Sequence, residues 1–180
     1  MDPKALADWT VSRLETWGTS VGMETFKDDG RGGGISLVLG GKVLVIDVDF
    51  AVDRTDPSQT RIKVSNVKTS YAISNAGSGA PSNGGSIPLD SFLCDTIEQF
   101  CTVVQRPAQE QNLGEAARLG MNISEQLQYL VMLDRLAARK DGGGLKWFGG
   151  VDELYPLLEN FAKREAEAVA SCVAFIFAPD

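Results

Sequence analysis

The sequence predicts an α+β domain: an N-terminal helix, an antiparallel four-stranded meander sheet, then a helical C-terminal half. Three observations predict it. Two strand-like apolar runs, residues 35–39 and 43–50, flank Gly40-Gly41, the pattern of a hairpin. Leu93, Ile97, Phe100, Cys101 and Val104 recur at i, i+4, i+7, i+8 and i+11, the stripe of an amphipathic helix. The strand-like segments follow one another between the first helix and the later helices, so the sheet is an antiparallel meander and not built from βαβ units. Residues 1–75 hold the first helix and the sheet, residues 76–88 a flexible loop, and residues 89–180 the helices, all within one domain.

Asp2-Pro3 opens the first helix, because Asp accepts from free backbone amides and Pro has no amide to leave unpaired. Leu6, Leu14, Trp17 and Val21 share a side, and Gly18 or Gly22 ends the helix in a left-handed cap. Met23 to Lys27 is a strand, and Asp28 to Gly34 a flexible turn. In the hairpin, Gly40-Gly41 is expected to form a two-residue turn with positive φ at both positions. Leu44, Ile46, Val48 and Phe50 then face the core, while Val43, Val45, Asp47 and Asp49 face the other way. Asp53 to Gln59 is a polar turn. Arg61 to Ser74 is a further strand whose apolar phase slips, which marks a bulge near Ser65-Asn66 or a strand apolar on both faces.

The amphipathic stripe of Leu93 to Val104 ends at Arg106-Pro107. A polar connecting helix over Gln109 to Arg118 follows, and Asn122-Ile123-Ser124-Glu125 begins another. Leu127, Leu130, Val131, Leu133 and Leu136 make that helix apolar on more than one side, so it is either central or shared with a partner. Asp141 to Gly144 is a linker, and the last helix starts near Pro156. The chain ends inside an apolar segment, the pattern of a piece of a longer protein.

The chain has 180 residues, a net charge of −7 and no histidine. An acidic domain has no global attraction for phosphates, so direct nucleic-acid binding is not expected. Without histidine, neither Ser-His-Asp nor Cys-His catalysis can operate within this chain, and no His-containing zinc site can form. Cys94, Cys101 and Cys172 read as reduced thiols; the first two lie ~10 Å apart along a helix, too far for a disulfide. No apolar run spans a bilayer and no signal peptide opens the chain, so no membrane partner is expected.

Asp47 and Asp49, with help from Asp53, are the strongest enzyme candidates, as carboxylates for a divalent cation in a metal-assisted hydrolase or phosphotransferase. The alternative for them is a solvent-facing strand end. Gly30 to Gly34 superficially matches phosphate-cradling loops, but a strand follows the glycines, as in a hairpin. Leu154-Tyr155-Pro156-Leu157-Leu158 matches a coactivator LxxLL box; with Pro156 opening the helix, these leucines are expected to pack internally.

One constellation goes further. A helix ending in Trp17-Gly18-Thr19-Ser20-Val21-Gly22 leads into Met23-Glu24-Thr25-Phe26. Gly41-Lys42, Ile46-Asp47-Val48-Asp49-Phe50 and Val67-Lys68-Thr69-Ser70-Tyr71-Ala72 follow. This order resembles the N-terminal domain of the fungal Mediator complex subunit 1 family, on motifs within residues 17–72. The resemblance implies a non-enzymatic structural subunit of the nuclear Mediator coactivator. That complex couples transcription regulators to RNA polymerase II, and this subunit would dock on other subunits of its middle module, as a monomer or a component of a hetero-complex. It implies no catalytic residue, metal or cofactor. The partner-interface candidates are Leu127, Leu130, Leu133, Leu158, Phe161, Val169 and Ile176. A third reading is a small-ligand or peptide-binding α+β module unrelated to transcription, which a hydrophobic groove occupied by co-purified ligand would favour.

Overall fold

The structure, a computed structural model, describes residues 3–29, 34–53, 61–72, 84–107, 109–139 and 144–176. The elements run α1 (Pro3–Val21), β1 (Glu24–Asp29), β2 (Ile35–Gly40), β3 (Leu44–Asp53), β4 (Arg61–Tyr71), α2 (Ile87–Val104), α3 (Leu113–Ala137) and α4 (Lys146–Ile176). The four strands form one antiparallel sheet in the order β1-β2-β3-β4, the expected meander. Asp2 and the expected turn over residues 54–59 lie outside the described residues, as do residues 30–33 and 140–143 and most of the 76–88 loop.

Alternation sorts the sheet into two faces. Ile35, Leu37, Leu39, Leu44, Ile46, Val48 and Phe50 are buried. Each such side chain contributes about 1.5–3 kcal/mol relative to exposure. Ser36, Val38, Val45, Asp47 and Asp49 line the other face, half-buried. The phase slip in β4 is a bulge: Asp49 pairs with Asn66 and Phe50 with Val64, so Ser65 is the extra residue, and its hydroxyl donates to the Asp49 carbonyl at 3.0 Å.

Gly22, at φ 94°, ends α1 in a Schellman cap; its amide donates to Thr19 and that of Met23 to Gly18. Gly18 itself lies against β2, where a Cβ would come within 2.8 Å of Leu39.

The β2–β3 connection differs from the expected two-residue turn. Gly40 pairs with Val45, and neither Gly40 nor Gly41 has positive φ. The turn is instead closed by a tertiary contact. The buried Asp134 carboxylate of α3 accepts from the amides of Lys42, Val43 and Leu44 at 2.9, 2.7 and 2.8 Å. Gly41 is required by that approach, since a Cβ there would lie 2.7 Å from the carboxyl group.

The helix α2 opens on a side-chain cap that the sequence reading did not anticipate. Ser86 accepts from the Leu89 amide, Pro88 sits in the first turn, and all five residues of the sequence stripe but one are below 5% exposure; Val104 is 8% exposed. It starts at Ile87, slightly earlier than the 89 expected. The connecting helix and the one expected from Asn122 are a single helix, α3. Asn112 caps it, accepting from the Glu115 amide at 3.1 Å, and Glu115 pairs with Arg106 at 2.8 Å. The helix runs through Gly120, where the close approach of the Trp17 ring leaves no room for a Cβ, which would lie 2.8 Å from it. Trp17 in turn meets Phe100 edge-on at 5.1 Å, joining α1, α2 and α3.

Candidate interaction surface

The final helix carries the surface. It runs from Lys146 to Ile176, with Pro156 inside it, ten residues before the expected start. At ~1.5 Å per residue it is ~46 Å long. Among its described side chains, the buried and half-buried ones lie at its beginning. Phe148 is buried and its ring lies 4.9 Å from that of Tyr71, while the Ser86 hydroxyl donates to the Asp152 carboxylate. Beyond those turns, Leu154, Leu158 and Phe161 follow i, i+4 and i+7, with Leu157 and Val169 beside them. All five are exposed, Phe161 by 70% and Leu158 by 65%. The opposite face carries the Glu159–Lys163 pair at 2.8 Å. An apolar stripe of this length without cover is the mark of a contact surface.

The interface candidates divide. Leu158, Phe161 and Val169 lie on the exposed stripe. The backbone of Ile176 ends α4, and its side chain lies outside the described residues. Leu127, Leu130 and Leu133 are no surface at all: they are 2%, 5% and 5% exposed. The reason is position. Helix α3 touches α1, α2 and α4, so its apolar residues on several sides are those of a central helix, not a shared one. The leucines of the LxxLL pattern depart from expectation the other way. Pro156 does not open the helix, and Leu154, Leu157 and Leu158 stand exposed instead of packing internally.

Asp47 and Asp49 share the uncovered sheet face, as expected. Asp49 accepts from the Ser36 hydroxyl at 2.6 Å and from Asn66 Nδ2 at 3.5 Å, and Asp47 stands opposite Lys68. Asp53 pairs with Arg61 at the end of β3. Among the described residues, no three His, Cys, Asp or Glu side chains cluster to hold a metal ion. Cys94 and Cys101 are free thiols; burial, and then the nearby Glu98 charge, pushes the Cys101 thiol up to about 12. Among the described residues, no helix is long and apolar enough to cross a membrane.

Two features were missed in the sequence. Asp134 continues the i, i+3, i+4, i+7 spacing of Leu127, Leu130 and Val131, so its place on the core face was signalled, but not its partner. The second is an apolar groove between α2, α3 and the start of α4, of about 510 Å³. No family model, curated protein or solved structure matches the chain.

Proposed function

We propose that this chain is a non-enzymatic interaction domain of the Mediator subunit 1 type, with α4 as its docking element. The observation that carries the reading is the uncovered stripe of Leu154, Leu157, Leu158, Phe161 and Val169 on a helix anchored at one end. The resemblance within residues 17–72 supplies the complex. On this reading the domain works in the nucleus. The sheet and α1–α3 form a rigid platform, and α4 is buried by other middle-module subunits. Stable interfaces bury roughly 1,200–2,000 Å², an area that a helix of this length reaches only if its partner follows much of it.

The experiment is affinity capture from nuclear extract with the wild-type chain and with Leu158→Glu/Phe161→Glu. Both side chains are exposed, so each substitution changes stability by about 0.5 kcal/mol or less. The wild type is expected to retain middle-module subunits and the double variant to lose them at an unchanged melting temperature. Equal capture by the two proteins would remove α4 from the interface, and capture of no Mediator subunit by the wild type would end the reading.

A further inference from the structure

The groove between α2, α3 and the first turns of α4 is built like a ligand site. Its volume of about 510 Å³ lies within the range of small-molecule pockets, roughly 300–1,000 Å³. Tyr71, Phe92, Tyr129, Phe148 and Tyr155 line it with aromatic rings. Asp152 and Glu125 bring carboxylates to it, and among the described residues no lysine or arginine lines it. Negative charge beside aromatic faces, with no balancing cation, selects against anions and in favour of cations.

Two polar atoms make the second observation. The Tyr71 hydroxyl and Gln126 Oε1, both on lining residues, are buried without a hydrogen-bond partner among the described residues. An orphaned buried polar group is unfavourable until something pairs with it. Gln126 donates through Nε2 to Asn122 Oδ1 at 2.9 Å, which leaves its carbonyl oxygen as the open acceptor. Tyr71 is 7% exposed. Burial, then the charges of Asp152 and Asp90, pushes its hydroxyl up to about 12, so at neutral pH it is a phenol whose oxygen can accept. Each orphan therefore accepts a donor, and Asp152 places negative charge beside one of them.

We propose that this groove binds a small aryl-alkyl amine, its ring among the aromatic side chains and its ammonium group turned to the acceptor oxygens of the lining. The carboxylates of Asp152 and Glu125 complement the charge, and the apolar walls take the ring and its linker. This site goes beyond the docking reading of α4: it uses none of Leu157, Leu158, Phe161 or Val169.

Three probes with one ring system test it: tryptamine, tryptophol and indole-3-acetate, titrated into the full 180-residue chain and followed by amide chemical shifts. Tryptamine is expected to bind saturably and at least about tenfold tighter than the neutral alcohol or the acid. Tyr129→Ala removes a ring that is 53% exposed, so the fold survives, and is expected to weaken tryptamine about tenfold. Glu125→Gln is expected to weaken it about threefold. Leu158→Glu/Phe161→Glu is expected to leave tryptamine binding unchanged, which separates this proposal from the docking reading. No saturable binding up to millimolar tryptamine, equal affinity for all three probes, or binding indifferent to Tyr129→Ala would each overturn it.

Discussion

The Asp134 carboxylate accepts three amide hydrogen bonds at the closed end of the β2–β3 hairpin, ninety residues away in sequence. Those amides have no strand partner at the turn, so removing the carboxylate orphans a cluster of donors at once. Asp134→Ala is expected to lower stability by about 3–5 kcal/mol, read as a fall in the urea midpoint at constant slope. Gly41→Ala places a methyl group against the same carboxylate and is expected to lose about 1–3 kcal/mol. In the Asp134→Ala background, where the obstacle is gone, Gly41→Ala should cost far less; simple additivity would show that the contact is not what fixes glycine at 41. Two other buried groups govern the alkaline limit. Cys101 and Tyr71 are both pushed up to about 12, from ordinary values of 9.0 and 10.0, chiefly by burial. In the unfolded chain each loses its proton earlier than in the fold. Their contribution is complete below pH 9 and declines as pH rises from about 9 towards 12. Melting temperature should fall across that window, and less steeply in Cys101→Ala. An equal slope in both proteins would rule out the thiol.

The second helix shows how an element can protect a sheet edge. Strand β4 is an edge strand, and α2 runs antiparallel beside it. Asp90 accepts from the Thr69 amide and hydroxyl at 2.7 and 2.6 Å, Glu98 from the Val64 amide at 2.8 Å, and Gln105 from the Ile62 amide at 2.6 Å. The match is geometric. From Asp90 to Gln105 the helix rises ~22 Å, and from Ile62 to Thr69 the strand advances ~23 Å. Side chains of one helix face therefore replace the missing strand. Glu98→Ala/Gln105→Ala is expected to speed amide exchange at Val64 and Ile62, and to make the chain self-associate through the bared edge; unchanged exchange would show that water already competes there. The sequence displayed the apolar stripe of α2 fully, because that face repeats at the helical period. It did not display this polar face, because acids and glutamine on a helix look the same whether they meet a strand or solvent. The continuity of α3 was hidden for a related reason: Asn122-Ile123-Ser124-Glu125 has the composition of a cap, yet Asn122 spends its side chain on Gln126 within the helix.

At the scale of the whole molecule, the same apolar periodicity serves two purposes, and only tertiary cover separates them. Leu127, Leu130 and Leu133 have three helices around them; Leu158 and Phe161 have none among the described residues. Hydrophobic spacing predicts a face, not its occupant, which is why the interface candidates divided between core and surface. The start of α4 was illegible because Pro156 reads as a first-turn residue, although a proline within a helix is tolerated where its cost, about 3 kcal/mol, is offset elsewhere. Here the offset lies upstream, in Phe148 against Tyr71 and Asp152 against Ser86. The division of α4 into an anchor and a free arm makes a prediction about length. A chain ending at Pro156 keeps both anchors and, among the described side chains, loses only exposed ones, so its urea midpoint should match that of the full chain. A chain ending at residue 144 loses Phe148, which is 3% exposed and closes the core beside Tyr71, and should fall by about 3–5 kcal/mol. If the chain ending at residue 144 is as stable as the full chain, α4 is not anchored through Phe148; if the chain ending at Pro156 is destabilised as much as the shorter one, the stripe of Leu158 and Phe161 belongs to the domain's own core.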